Sequence, residues 1–145
     1  MIKKYDGNDI ENILSIWLEA SIKAHDFVAA EYWKSQVPNI RDIYIPASET
    51  YVYIQNSETV GFYSLVKNDL AAIFVSPKNQ GQGIGKALLF HAKAQREELT
   101  LSVYSENEAS YQFYLSQDFT VIEKQTDIHT GHQEYKMRWV AKTEI

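Results

Sequence analysis

Three glycines in five residues, Gly81, Gly83 and Gly85, stand between the apolar run LAAIFV at 70–75 and the apolar helical run that begins at Ile84. Strand, glycine-rich turn and helix in that order build an anion site. The first amides of a helix lack partners within it and carry the positive end of its dipole, so a phosphate placed there accepts several hydrogen bonds. Glycine lets the backbone approach closely and take φ values closed to other residues. Gln80, Gly81, Gln82, Gly83, Ile84, Gly85 and Lys86 therefore read as a phosphate cradle, with the amides of Gln82, Gly83, Gly85 and Lys86 as donors. An ATP-binding P-loop requires its second glycine where Lys86 stands, and alternating glycines do not fit the spacing of a dinucleotide fold.

Other reactive types are sparse. The absence of cysteine removes a disulfide framework, a thiolate metal site and a cysteine nucleophile. His129 and His132 flank Gly131 without a carboxylate pair to complete a metal shell, so the segment reads as a solvated turn and no metal is expected. A net charge of −5 argues against a nucleic-acid partner and leaves a cationic substrate open. No apolar run is long enough to span a bilayer, and the amino terminus turns polar after two residues, so the expectation is a cytoplasmic protein without a membrane partner. The 145 residues, 45% hydrophobic and 23% charged, fit a single domain spanning 1–145.

The elements that must position the cradle follow from periodicity. MIKKY reads as an edge strand, and Asn8 or Asp9 then caps a helix whose apolar face is Ile10, Ile13, Leu14, Trp17 and Leu18, running to about Lys23. After His25-Asp26-Phe27 a second helical stretch carries Val28, Tyr32 and Trp33 until Pro38 breaks or kinks it. A further turn holds Ile40, Ile43 and Tyr44. YVYIQ and TVGFYSLVK form an antiparallel hairpin about Asn56-Ser57, and after a turn at Asn68-Asp69 LAAIFV reads as a central strand buried on both faces. The cradle helix runs to about Arg96, LTLSVY is a strand, EASYQFYLSQ a short aromatic helix, and DFTVIEKQ and HQEYKMRWV are two strands. The fold class is mixed α/β (α+β): a mostly antiparallel sheet of six to seven strands flanked by about four helices.

Val75-x-Pro77 followed by Gln80-x-x-Gly83-x-Gly85 resembles the pyrophosphate-binding motif of the GNAT superfamily of N-acetyltransferases. Asn107, Ala109, Phe113-Tyr114 and Phe119 are similar to its second motif, N-x-x-A-x-x-x-Y-x-x-x-G-F, with Ala109 one place early and Asp118 where the glycine stands. The resemblance extends to small bacterial members of the YiaC/YjaB type, which also carry His-x-Phe after the first helix and an aromatic second helix.

The resemblance implies direct acetyl transfer from acetyl-CoA to a primary amine, a protein lysine, an amino terminus or a small amine, in a ternary complex. In that reading the backbones of Phe74 and Val75 hold the pantetheine arm, Asn107 bonds the arm or caps a helix, and Tyr114 gives a proton to the departing thiolate. The strand before the cradle lacks the glutamate that some members use as base, which leaves His25, Glu106 or Tyr104, or ordered water. His25, Phe27, Trp33, Tyr44 and Tyr104 are the candidates for the acceptor pocket. A binding or sensing module for acyl-CoA without catalysis is the alternative, and a monomer or a homodimer is expected.

Overall fold

The computed structural model describes residues 1–142. Among them the chain forms seven strands and four α-helices: β1 (Ile2–Lys4), α1 (Ile10–Ala24), α2 (Ala30–Asn39), β2 (Glu49–Gln55), β3 (Glu58–Val66), β4 (Asp69–Val75), α3 (Ile84–Gln95), β5 (Glu98–Tyr104), α4 (Glu108–Ser116), β6 (Thr120–Thr126) and β7 (Gln133–Val140). The strands make one sheet in the order β1-β2-β3-β4-β5-β7-β6, antiparallel throughout except for β4 beside β5.

The helices cover both faces of the sheet. On one, α3 and α4 bury Leu88, Leu89 and Ala92 with Leu99, Leu101, Val103, Phe119 and Met137, and Tyr114 packs against this cluster. On the other, α1 and α2 bury Ile13, Trp17 and Trp33 against Val52 and Phe62, with Phe74 and Tyr104 at the margin. Alternation along each strand produces the division, since successive side chains point to opposite faces.

Several local expectations need correction. Asp9 is the N-cap of α1, but its side chain makes no capping bond there; the side-chain cap is Asp6, one turn earlier, whose carboxylate accepts from the Asn8 amide at 2.9 Å while Asp9 answers on the Asp6 amide, and a 3-10 turn Gly7–Asp9 leads into α1. Pro38 lies inside α2 instead of ending it. Proline has no amide hydrogen and crowds the carbonyl four residues back, and the chain then relaxes into a π turn, Ile40–Tyr44, closed by the Ile45 amide on the Ile40 carbonyl at 3.0 Å. The second hairpin turns at Lys67, with φ of 55°, one residue before the expected Asn68-Asp69.

The largest difference concerns β4. Leu70 is buried, but Ala71 is exposed and Ala72, Ile73, Phe74 and Val75 are only partly covered. The register with β3 pairs Ser64 with Ala72 and Leu65 with Leu70, so Ala71 is an extra residue, a bulge. A bulge bends its strand and increases its twist. Beyond it β4 leaves β5, the two sharing the single pair Asp69↔Thr100. The apolar run is therefore a central strand that lines an opening in the sheet.

Candidate active site

The opening continues into a cleft of about 1070 Å³ whose floor is residues 70–75 of β4 and residues 101–104 of β5. Its walls are the C-terminal half of α1 with Trp33 of α2 on one side, and the start of α3 and of α4 on the other.

At one end lies the cradle. Gly81 and Gly83 have φ of 80° and 82°, and Gly83 is the N-cap of α3, so the left-handed backbone turns the chain sharply into the helix. A Cβ at either glycine would meet nothing within 4 Å, which leaves open space beside the free amides. Gln80, Gly81, Gly83, Ile84, Gly85 and Lys86 line the cleft, whereas Gln82 is exposed outside it. Gln80 is held at both ends of its amide: Nε2 donates to the Val75 carbonyl at 3.1 Å and Oε1 accepts from Lys23 Nζ at 3.2 Å. Lys23 had no sequence signal for this position, because the contact spans 57 residues.

Tyr114 comes in from α4, on the same side of the sheet as the cradle helix. Its ring packs edge-on against Phe113 and Phe119 at 5.5 and 5.8 Å, and it lines the cleft. Burial pushes its phenol well above the usual tyrosine range, so it remains protonated at neutral pH. Asp118, just past α4, has φ of 70° in a closing motif where the Phe119 amide bonds the Tyr114 carbonyl at 3.1 Å and the Asp118 amide bonds Leu115 at 3.2 Å. The backbone at the position of the motif's glycine is thus left-handed. Lys93 Nζ donates to the Gln117 carbonyl at 2.6 Å and stands over the Phe119 ring.

The opposite wall joins the two halves of the sheet. Asn107 Oδ1 accepts from the Ser110 amide at 3.3 Å, capping α4, and its Nδ2 lies 3.2 Å from His25 Nε2. With Oδ1 accepting, Nδ2 is the donor, so His25 Nε2 accepts and Nδ1 carries the ring proton. That Nδ1 is buried without a partner, as are Ser21 Oγ and Trp33 Nε1 on the same wall. Burial lowers the His25 pKa to about 4 and keeps the ring neutral.

Around His25 the aromatic candidates assemble. Tyr104 lies 5.0 Å from His25 and 5.4 Å from Phe27, and Trp33 lies 5.3 Å from His25. His132 is not simply a solvated turn residue: its ring packs at a tilt against Phe27, centroids 4.9 Å apart, and its Nδ1 lies 2.8 Å from Glu106 Oε1. Tyr44 is exposed on the π turn outside the cleft. The Tyr104 hydroxyl donates to Asp127, and burial with that bond pushes its pKa far up.

The fold and this cleft define an acyl-transfer enzyme of the GNAT type. Residues 15–141 match the acetyltransferase (GNAT) domain, and the chain belongs to that family: it is an acetyl-CoA-dependent N-acetyltransferase. It is 32% identical over 140 residues, 96% of each chain, to the peptidyl-lysine N-acetyltransferase YiaC of Escherichia coli. It is 30% identical over 121 residues to the peptidyl-lysine N-acetyltransferase YjaB of the same organism, covering 83% of this chain and 82% of YjaB. The solution structure of apo-form YjaB from Escherichia coli superposes with a TM-score of 0.85 at 26% identity over 98% of both chains. No helix among the described residues is long and apolar enough to cross a membrane.

Proposed function

We propose that the chain transfers the acetyl group of acetyl-CoA to the side-chain amine of a lysine in a protein or peptide. The observation that carries this reading is how charge is distributed along the cleft. Its lining cations, Lys23 and Lys86, stand at the cradle, while Asp26, Glu106, Glu108 and Glu134 line the side formed by the α1–α2 connection, the β5–α4 turn, α4 and β7. A diphosphate fits the first region and an alkylammonium the second. Two relatives sharing nearly a third of their residues with this chain bear names that give peptidyl lysine as their acceptor, and that supports the choice over a small amine.

In this mechanism the amides at the start of α3 take the pyrophosphate, with Lys86 and Lys23 adding charge. The backbone edge that β4 turns away from β5 at Phe74 and Val75 pairs with the pantetheine arm and points the thioester through the sheet. The lysine amine attacks the thioester carbonyl, and the Tyr114 phenol gives a proton to the sulfur as the C–S bond breaks. Asn107 acts as helix cap and as tether to His25, and His25, Phe27, Trp33 and Tyr104 wall the acceptor side.

A thermal-shift titration with acetyl-CoA, followed by thiol release with lysine peptides and with small amines, tests the reading. A ligand bound only by the folded state raises the melting temperature. Release that depends on a lysine peptide is the expected result. Release with small amines alone would replace the acceptor, and stabilisation with no release for any amine would favour a sensing module.

A further inference from the structure

The strand that some relatives use to supply a base has none here, and the three other side-chain candidates for the task are engaged. His25 spends its acceptor nitrogen on Asn107 and buries its protonated one. Glu106 is paired with His132 at 2.8 Å. The Tyr104 hydroxyl is a donor to Asp127. Asp26 and Glu108 line the cleft from the rim, each the acid of an exposed or loop position.

Glu134 remains. It lies on β7 directly opposite Tyr104 of β5, so the two side chains point to the same face of the sheet. That is the face of α1 and α2, to which Tyr104 belongs, whereas Tyr114 packs on the face of α3 and α4. Glu134 lines the cleft. Its Oε1 accepts from Gln125 Nε2 at 2.7 Å, and the same Nε2 lies 3.4 Å from the hydroxyl of Ser102 on the cleft floor. Its other oxygen has no protein partner among the described residues.

We propose that Glu134 is the general base of the transfer, receiving the proton of the acceptor ammonium from the side of the sheet opposite the acid Tyr114; the proposal rests on the acetyl-transfer reading above. Burial, with Asp127 nearby, holds this carboxyl above the usual glutamate range, which suits a group that must accept a proton and pass it on. The ionisable groups around it are the Tyr104 phenol and Asp127, with Gln125 as the neutral neighbour that fixes the carboxylate.

The step balances as follows. The ammonium gives one proton to Glu134, directly or through one water, and its freed lone pair forms the C–N bond. The carbonyl π pair moves to oxygen and returns as the C–S bond breaks. The thiolate takes the Tyr114 proton, the second amine proton restores the phenol, and Glu134 discharges its proton to solvent. The products are the amide, the free thiol of CoA and one proton.

The test is Glu134→Gln, which keeps the acceptor for Gln125, assayed beside wild type on a lysine peptide and on a diamine across pH 6.5–9.5. The expected result is a fall in kcat of about 100-fold at neutral pH, with unchanged melting temperature and unchanged KM for acetyl-CoA. The variant's rate should climb with pH as the free amine fraction grows, and Glu134→Asp should restore part of the lost rate. Glu11→Gln, an exposed change on α1 outside the cleft, serves as a control that leaves the pH profile in place. A Glu134→Gln enzyme within threefold of wild type, with the same pH profile on whichever acceptor wild type uses, overturns the proposal. If wild type acetylates the diamine and never the peptide, the acceptor reading fails while the comparison of variant with wild type still decides the base.

Discussion

Gly61 links the core to the cradle, and its replacement by alanine has a calculable effect. The residue lies in β3 opposite Val75, beneath the first turn of α3. A Cβ there would sit 3.1 Å from Leu88 Cδ1, 3.1 Å from the Phe74 carbonyl oxygen and 3.3 Å from Ile84 Cγ2. Leu88 and Ile84 are buried on the face of α3 that meets the sheet. Phe74 O is backbone of β4 and cannot rotate away, so relief requires both β4 and α3 to give by a few tenths of an ångström. Overpacking of this kind costs about 1–3 kcal/mol, and the reduced freedom of the unfolded chain returns up to about 1 kcal/mol. A net loss of about 1–2 kcal/mol corresponds to a melting temperature lower by roughly 3–8 °C in a chain of this size. Because Ile84 is flanked by Gly83 and Gly85, the same displacement moves the amides proposed to take the pyrophosphate. Gly61→Ala should therefore lose affinity for acetyl-CoA in isothermal titration as well as stability in calorimetry. Gly7→Ala, where a Cβ meets nothing within 4 Å, is the matched control: it should leave the affinity unchanged and keep or slightly raise the melting temperature through the same unfolded-chain effect. A Gly61→Ala protein with wild-type melting temperature and affinity would refute the claim that this close approach sets the position of the cradle.

Tyr114→Phe keeps the ring packing on Phe113 and Phe119 but removes the phenolic proton, so kcat should fall about 100-fold or more while the dissociation constant for CoA stays near wild type in titration. Asp118→Gly relieves a left-handed backbone that costs an L-residue about 1 kcal/mol, less the attraction to Lys93, and should raise the melting temperature by about 1–3 °C in calorimetry. His25 is neutral in the native state down to a pKa of about 4, so between pH 6.5 and 4 the unfolded chain binds a proton that the folded one does not, and stability falls with decreasing pH by up to about 3 kcal/mol. Denaturant titrations of wild type and His25→Gln should show this slope in wild type and a flatter one in the variant.

The strand and helix order was legible because the apolar periods are clean: alternation of Leu99, Leu101 and Val103, and helical spacing of Leu88, Leu89 and Ala92, both end as buried faces. The glycine turn before α3 was legible because glycine is demanded by a local conformation, and Gly81 and Gly83 indeed have positive φ. What periodicity cannot convey is the departure of β4 from β5. An apolar run reads the same whether it is buried on both faces or lines a cleft, and the bulge at Ala71 that decides between them is a matter of register with β3. The approach of Lys23 to Gln80 and of Gln125 to Glu134 also depends on tertiary contact. Glu134 did leave a partial trace, since Tyr135, Met137 and Trp139 alternate on the apolar face and put it on the other one. Its pairing with Tyr104 left none.

The open sheet has a thermodynamic consequence that connects fold to turnover. Parting β4 from β5 after the Asp69↔Thr100 pair leaves the edge of Ala72–Val75 without the ladder partners a parallel neighbour would supply. The Val75 carbonyl is instead occupied by the Gln80 side chain, itself held by Lys23. A pantetheine arm that lies along this edge offers amide groups in place of the missing strand, and in doing so must compete with Gln80 for Val75. On the proposed reading, cosubstrate binding exchanges one hydrogen bond for several along a strand already fixed by β3, with little chain left to order. The acceptor side has no such template. Its wall contains the unpartnered Ser21 Oγ, His25 Nδ1 and Trp33 Nε1, and buried polar atoms of this kind are costly until something satisfies them. On the proposed reading, a site with one half pre-formed and the other incomplete favours loading of acetyl-CoA first and of the amine second, with the sheet opening between β4 and β5 as the path between the two faces.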